Sequence, residues 1–558
     1  MTFQYKTQMC LMAAGLALSS NASAQVSAPQ RDFLDSAGML LPPILLAVRV
    51  DVSEIAQAQN PTKTADQNDI VVHYTAIDFS GNTVLSKSQL KRLAAPYLNR
   101  DLTLVDLKQL ANNITTLYID EGYFLSKATI SLNQSRQGLL TVTMIEGSVA
   151  DIVFTGDDIA YLPALFAPLK QDKPTTRAAL DLAMAKARMI NGVKIKTISQ
   201  KRIPGNKQAV LLEVDAQFSK FGVDVYLTNK GSREGEDVKL SVTGRVNSLL
   251  RMGDSFKIGF LTKPEAPDDL NYASAQYEVP LGWKNAHGFI SYTHSETEPR
   301  SVLVGRDLFG SLNGGKAGIT IPLIFSPMKR LSFTAQIEAS DNREFENGLN
   351  LYTDRLRLVR GRLDFIKRYK DRSQTNLSVE YSQGFDIFGA SDGLSMRVSR
   401  PGADAFFKKI FTELTHQEFL SGKISTKIGF AGQYADTPLL YSEEFGVGGG
   451  SYGRGYDYGE VLGDKGAAAF IELIYHGAGA GLLERWEAYG FVDSGATWNQ
   501  GTPLSADGTW LSSAGLGARL YIGDVASLAY EAAMPLSDAP YTLDDEDIRH
   551  RFDIAIRY

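Results

Sequence analysis

What the chain lacks narrows its chemistry first. Among 558 residues there is one cysteine, Cys10, so disulfides, cysteine nucleophiles and thiolate metal sites are excluded from the rest of the chain. The six histidines, His73, His287, His294, His416, His476 and His550, include no pair at a metal-ligand spacing such as i, i+4, so neither a metal nor a cofactor is expected. There is no basic excess either: the formal net charge is −6, which argues against a nucleic-acid partner. Beyond the N-terminus no apolar run reaches the roughly twenty residues that a membrane-crossing helix needs, because charges or prolines interrupt each candidate. If this chain enters a membrane, it must do so as a barrel.

The N-terminus is what makes a membrane relevant. Lys6 precedes the apolar run Met9 to Leu18, and Ala22-Ser23-Ala24 supplies a small-x-small cleavage site, the order of parts in a secretory signal peptide. Residues 1–24 are therefore expected to be removed, Cys10 with them, leaving Gln25 as the mature start. Residues 25–70 form an N-terminal segment and linker. Within it Pro43 can open a short amphipathic helix to about Gln57, with Leu45, Val48, Val52 and Ile55 near one stripe.

From Val71 the periodicity changes in an ordered way. Val72 to Phe79 reads as a strand and Ser80-Gly81-Asn82 as a turn; Ser86 caps a helix carrying Leu90, Leu93 and Ala94. A second helix spans Leu104 to Glu121, with Leu107, Leu110, Ile114 and Leu117 on one face and Gly122 as its stop. Strands Phe124 to Leu132 and Leu139 to Glu146 follow. The order then repeats: strand Ala150 to Phe154, helices at Leu162 to Leu169 and Thr175 to Met189, strands Val193 to Gln200 and Gln208 to Phe218. Two βααββ units are expected, over residues 71–148 and 149–218, each with a small core beneath a three-stranded sheet. So small a sheet leaves an edge on which an extended segment of another protein can pair.

Over residues 219–558 helix signals stop and alternation takes over. Leu331, Phe333, Ala335, Ile337 and Ala339 alternate with Arg330, Ser332, Thr334, Gln336 and Glu338, and other segments repeat the pattern. About 16 strands are expected, with connections alternating between short ones such as Phe419 to Gly422 and Tyr521 to Asp524 and long ones such as Glu296 to Gly310, Asp386 to Ala403 and Gly495 to Gly508. A soluble sandwich has no reason for such asymmetry, whereas a transmembrane antiparallel β-barrel has tight periplasmic turns and long outer loops. The fold class is thus α+β units followed by a barrel in contact with outer-membrane lipid. The chain ends on Phe552, Ile554, Ile556 and Tyr558, alternating with polar residues, an amphipathic terminal strand similar to the signal read by the barrel-assembly machinery during biogenesis.

One stretch stands apart: Gly446 to Gly466, GVGGGSYGRGYDYGEVLGDKG, holds Arg454 in a glycine-dense connection between strands eleven and twelve. Its matches to G-x-S-x-G and G-x-G-x-x-G lack the strand-to-helix setting those motifs need. Gly310 to Ala317 misses the P-loop at the hydroxyl position, and no nucleophile, base and carboxylate trio is visible, so no catalytic residue is assigned. An arginine folded into a lumen needs an anionic partner. On strand thirteen Glu487, Tyr489, Phe491, Asp493 and Gly495 share one face, which makes Asp493 the leading partner, with Glu472 on strand twelve a weaker candidate. The lumen is expected to be wet, so the pair should be modest, about 1 to 3 kcal/mol if partly shielded and bidentate.

Gly453-Arg454-Gly455-Tyr456 resembles the (V)RG(F/Y) motif, and Phe491-Val492-Asp493-Ser494-Gly495 the FxDxG motif, of the superfamily that joins POTRA domains to a barrel. Within it the chain is most similar to the two-partner secretion transporters, TpsB, of the ShlB/FhaC/HecB haemolysin secretion/activation type. The segment Ser80 to Ile130 resembles their first POTRA domain, and Leu227 to Glu236 and Gly463 to Gly466 also resemble the family. The resemblance implies two POTRA domains in the periplasm, a 16-stranded barrel in the outer membrane of a Gram-negative bacterium, a sixth loop whose arginine meets the strand-thirteen aspartate, and a secreted exoprotein with an N-terminal secretion domain as partner. The alternative within the superfamily is an insertase resembling BamA or TamA, but those have more POTRA domains. Two departures stand out. Gly453 replaces the motif's valine, which adds backbone freedom, and Pro42-Pro43 break the region where the family carries a pore-plugging helix.

Overall fold

A computed structural model describes residues 72–130, 138–230, 238–250, 253–283, 285–298, 307–393, 397–500, 508–538 and 548–558. The expected leader at 1–24, and the segment at 25–70 with its helix from Pro43, lie outside the described residues. Two compact units contain the rest, one ending at Ser219 and one running from Lys220 to Tyr558.

The first unit opens with β1 (Val72–Ser80), α1 (Lys87–Ala94), β2 (Arg100–Leu102), α2 (Leu104–Asp120), β3 (Lys127–Ile130) and β4 (Gly138–Ile145). Both helices begin with reciprocal capping: Ser86 with Gln89, and Thr103 with Asp106. Each box satisfies amide groups that the first turn would otherwise leave without partners. Leu90, Leu107, Leu110, Ile114 and Tyr118 then bury against Leu140, Val142 and Met144 of the sheet. Sheet order is β2-β1-β4-β3, with β1 and β4 parallel. It has four strands rather than the expected three, because β2 pairs with β1 over Val72 to Tyr74. A strand of three residues is too short to display alternation, and only its buried Leu102 marks it.

The same order of elements recurs in β5 (Ser148–Gly156), α3 (Leu162–Phe166), α4 (Arg177–Arg188), β6 (Val193–Ile203) and β7 (Asn206–Phe218), with sheet order β5-β7-β6. After Phe166 the chain tightens into a 3-10 turn, Ala167–Lys170. Pro168 cannot donate the amide bond that would continue the α-helix. Phe166, Leu180, Met184 and Val214 fill this core, and Phe124 and Leu125 from the preceding domain pack onto it.

From Lys220 onward sixteen antiparallel strands close into a barrel. Ring closure is made by the sixteenth strand (Arg549–Arg557) against the first (Phe221–Thr228), in the register Asp553↔Thr228 to Arg557↔Asp224. Tyr558 extends it: its N–H donates to the Val223 carbonyl at 2.8 Å and its carbonyl accepts from the Val223 N–H at 2.9 Å. Along each strand the usual burial is inverted. Ile290, Ile337, Val359, Ile471 and Val492 are exposed, while Arg360, Glu472 and Asp493 at neighbouring positions are buried. Lipid is the solvent outside and the charged groups point inward, as a membrane barrel requires.

The sixth, seventh and eighth strands are longest, at 18, 18 and 20 residues (Leu308–Phe325, Lys329–Glu346, Leu349–Arg368). A tilted strand needs only about 9 to 11 residues to span the hydrocarbon core, so these project beyond it. Not every outer connection is long: the seventh and eighth strands are joined by Asn347-Gly348 alone, both at positive φ (51° and 77°). That is the Asn-Gly hairpin turn suited to strand twist.

Candidate functional site in the barrel lumen

The eleventh strand (Ile424–Ala435) and the twelfth (Lys465–Ala478) bracket the sixth outer loop, 436–464. A 3-10 turn, Tyr441–Glu443, leads into a hairpin of Phe445–Val447 against Val461–Gly463. Its apolar residues explain its direction. Phe445, Val447, Tyr456 and Val461 bury against Ala431, Ala468 and Leu511, which belong to the inward faces of the eleventh, twelfth and fourteenth strands (the last Thr509–Ile522). In water this surface would be exposed, so folding into the lumen is favoured at about 25 cal/mol per Å² covered.

The tip, Gly448 to Glu460, places Arg454 among three carboxylates. Its Nη1 lies 2.8 Å from Glu472 Oε1 and 3.1 Å from Glu531 Oε2, and its Nε lies 3.6 Å from Asp493 Oδ2. The guanidinium carbon sits 4.1 Å from the Phe491 ring centre and 5.0 Å from that of Phe470, within cation-π range.

Asp493, on the thirteenth strand (Arg485–Trp498), has a different principal task from the expected one. Its Oδ1 accepts from the Gly453 N–H at 2.7 Å and from Ser513 Oγ at 2.6 Å, and its Oδ2 accepts from the Arg454 N–H at 3.4 Å. The order of partners is thus reversed: Glu472 makes the close ion pair and Asp493 binds the backbone turn. Register accounts for this: Asp493 lies opposite Phe470 and Glu472 opposite Phe491, so the two carboxylates enter the lumen at different levels. The expectation of a wet pair is corrected too. Side-chain exposures are 5% for Arg454, 2% for Glu472 and 0% for Asp493, because the loop and the two phenylalanine rings cover the cluster.

Glu531, on the fifteenth strand (Ala526–Pro535), was not singled out from the sequence. Its signal was available: it is the only charge in ASLAYEAAMP. The sixteenth strand contributes from the opposite polarity. Arg551 donates to the carbonyls of Gly449 (2.5 Å) and Tyr456 (2.6 Å), and Arg549 donates to that of Gly455 (2.8 Å) and pairs with Asp457. The buried Tyr456 hydroxyl donates to the Ser512 carbonyl at 2.9 Å.

The glycines have steric reasons. Gly453 is at φ +69°, and a Cβ there would lie 2.8 Å from Gly448 N. The replacement of valine therefore meets a requirement of this turn, rather than merely adding freedom. At Gly455 a Cβ would lie 2.6 Å from Pro535 N, and at Gly495 one would lie 2.8 Å from a methyl of Val447. Ser451, which fits the nucleophile position of G-x-S-x-G, lies in this turn and its carbonyl accepts from Arg454 Nε at 3.4 Å.

At the loop's root the polarity is reversed. Glu443 takes a two-pronged contact from Arg360 of the eighth strand (2.7 and 3.2 Å) and pairs with Lys409 of the tenth strand (Lys408–Phe419) at 2.6 Å. Burial raises the Glu443 carboxyl's pKa, but Arg360 and Lys409 more than offset this and hold it below the usual carboxylate range. Of the terminal-strand residues, Phe552, Ile554 and Ile556 pair with Tyr530, Leu528 and Ala526, and Tyr558 closes the ring.

Comparison with known proteins agrees over most of the chain. Residues 207–520 match the family model for haemolysin secretion/activation protein ShlB/FhaC/HecB, and residues 72–147 match the model for the POTRA domain, ShlB-type. The chain is similar to outer membrane transporter CdiB of Dickeya dadantii (strain 3937), with 21% identity over 433 residues covering 76% of each chain. It is also similar to heme/hemopexin transporter protein HuxB of Haemophilus influenzae (strain 86-028NP), at 22% over 408 residues, 71% of this chain and 70% of the other. The fold is shared with CdiB from Escherichia coli (TM-score 0.65, 18% identity, 97% of this chain and 99% of that one). It is also shared with BamA from Haemophilus ducreyi lacking POTRA domains 1-3 (TM-score 0.56, 13% identity, 88% and 100%).

Proposed function

Because the chain belongs to the haemolysin secretion/activation protein family ShlB/FhaC/HecB, we propose how this outer-membrane two-partner secretion transporter handles its cargo. The barrel lies in the outer membrane and the POTRA domain faces the periplasm. The cargo is an unfolded exoprotein with an N-terminal secretion domain. It pairs as an added strand on an open sheet edge, β3 in the first βααββ domain or β5 in the second, which acts as a second POTRA domain. The chain then crosses the lumen and folds outside, and that folding supplies the free energy; no catalytic step and no nucleotide is involved. Barrel-assembly machinery inserts the transporter by reading Phe552 to Tyr558.

The observation that carries this mechanism is the sixth loop, folded into the lumen with Arg454 buried between Glu472, Glu531 and Asp493. A cargo chain and this hairpin compete for one space, so the hairpin is the resting plug and its withdrawal opens the pore. The test is deletion of residues 71–148. Secretion should stop while the heat-modifiable barrel remains in the outer membrane. Normal export by the deleted protein would overturn strand addition on the first domain, and normal export after deletion of both domains would overturn strand addition altogether; a fall in other outer-membrane barrels on depletion of the full chain would favour an insertase instead.

A further inference from the structure

The fifth outer loop joins the ninth strand (Gln374–Gly384) to the tenth, and its residues 397–407 pack against the sixth loop rather than extending into solvent. Val398, Ala403, Ala405 and Phe407 pack with Leu439 and Leu440 of the sixth loop. Arg400 is buried among them. Its two terminal nitrogens form a fork on Asp464, Nη1 to Oδ1 at 2.5 Å and Nη2 to Oδ2 at 3.0 Å, and Nη1 also lies 2.8 Å from Glu444 Oε1. Arg400 Nη1 donates further to the Leu439 carbonyl at 3.3 Å. Asp464 has no solvent exposure and also accepts from the N–H groups of Leu439 (2.6 Å) and Gln500 (2.7 Å). Leu439 is on the entering arm of the sixth loop, Asp464 ends its leaving arm, and Gln500 starts the seventh outer loop. A single carboxylate thus ties three loops, and Arg400 neutralises it in a setting where an unpaired charge is strongly disfavoured.

We infer that Arg400 is a positioning residue for secretion: the fifth outer loop straps the root of the sixth, and the plug leaves the lumen only when the Arg400–Asp464 fork opens. This rests on the sixth loop being the plug. Strap and plug are separable, because Arg400 touches neither Arg454 nor any carboxylate around it. Tip and root hold the hairpin together, so weakening either one lets the fork open and the hairpin leave more often.

The experiment records small-ion current through the purified full chain in planar bilayers, with heat-modifiability confirming an assembled barrel. Arg400→Ala should raise the open fraction by about tenfold or more, the factor carried by one charge-assisted hydrogen bond. Arg400→Lys, which keeps the charge and loses the fork, should fall between Arg400→Ala and the unaltered chain. A second measurement does not depend on the Arg400 variants folding. Ala403→Cys and Leu440→Cys, joined by a short thiol-reactive linker in an Arg454→Ala background, should hold closed a pore that Arg454→Ala alone opens. An Arg400→Ala pore as quiet as the unaltered one, or a linked pore that still opens with Arg454→Ala, would overturn the strap. A pore that Arg454→Ala fails to open would overturn the plug on which the strap depends.

Discussion

The tip and the root of the sixth loop are held by opposite arrangements of the same chemistry. At the tip the loop brings one cation, Arg454, to carboxylates on the twelfth, thirteenth and fifteenth strands; at the root it brings a carboxylate, Glu443, to Arg360 and Lys409 on the eighth and tenth. Buried ion pairs are weak evidence for stability, since desolvation offsets much of the attraction. They are stronger evidence for position. A loop that brings a cation to wall carboxylates at its tip and a carboxylate to wall cations at its root cannot slide or turn over without breaking both sets of pairs.

The comparison breaks most visibly at the tip. Arg454→Ala removes the cation shared by Glu472, Glu531 and Asp493 and leaves Glu472 with Arg519 at 3.4 Å, which should cost the docked loop about 3 to 5 kcal/mol. The barrel should stay heat-modifiable, the bilayer current should rise and export of the partner should fall. Glu472→Ala, which leaves Arg454 its contacts to Glu531 and Asp493, should have a smaller effect, and the double change should be little worse than Arg454→Ala alone, since the shared contact is lost once. Additive losses would mean that the tip is held elsewhere.

At the root, Glu443→Gln should have a smaller effect, about 1.5 to 3 kcal/mol. Glu338 and Glu380 still face Arg360, and the Glu443 carbonyl still accepts from Lys409 at 2.9 Å. An effect exceeding that of Arg454→Ala would invert the comparison, and bilayer current measured on both variants decides it. Smaller again is Gly495→Ala. Its methyl meets Val447 and should overpack the hairpin by about 1 to 3 kcal/mol, read as faster proteolysis of the loop in an intact barrel.

The smallest expected effect concerns pH. Burial pushes the Glu444 carboxyl up to about 8; Arg400 opposes this and Asp464 adds to it. The docked loop therefore holds a proton that the released loop gives up near the ordinary carboxylate value. Docking is fully stabilised below that value and weakens as pH rises towards 8. Bilayer current should rise between about pH 5 and 8 in the unaltered chain, level off above that, and stay flat in Glu444→Gln; equal pH profiles would remove Glu444 from the root.

What was legible in the sequence follows from how local each signal is. Ser86, Leu107 and Gly122 announce helix ends and faces within a few residues, and the alternation of Leu331 to Ala339 announces a strand with one lipid face. Arg454 was conspicuous because glycines surround it, and Asp493 through its motif. The facing of Glu531, Glu443 and Arg360 could also be read from strand parity and turn position. Which of them meet could not, because the path of the loop decides it: Arg360 and Glu443 are 83 residues apart, and Arg454 and Glu531 77. The level at which each carboxylate enters the lumen then sets which one lies nearest the guanidinium, a matter of ångströms that spacing alone does not carry.

Ring closure has a kinetic consequence. Most strand pairs in the barrel join chain neighbours, but the seam joins Thr228 to Asp553, 325 residues apart. Hairpins form fast because their ends are already close, while so distant a pairing is found late and leaves a sheet with two open edges until then. Arg549 and Arg551, which grip the carbonyls of the hairpin tip, lie on the last strand to arrive. On the proposed reading of the hairpin as the resting plug, it reaches its final seat only after the wall is complete, so each transporter is closed by the same event that makes it a pore.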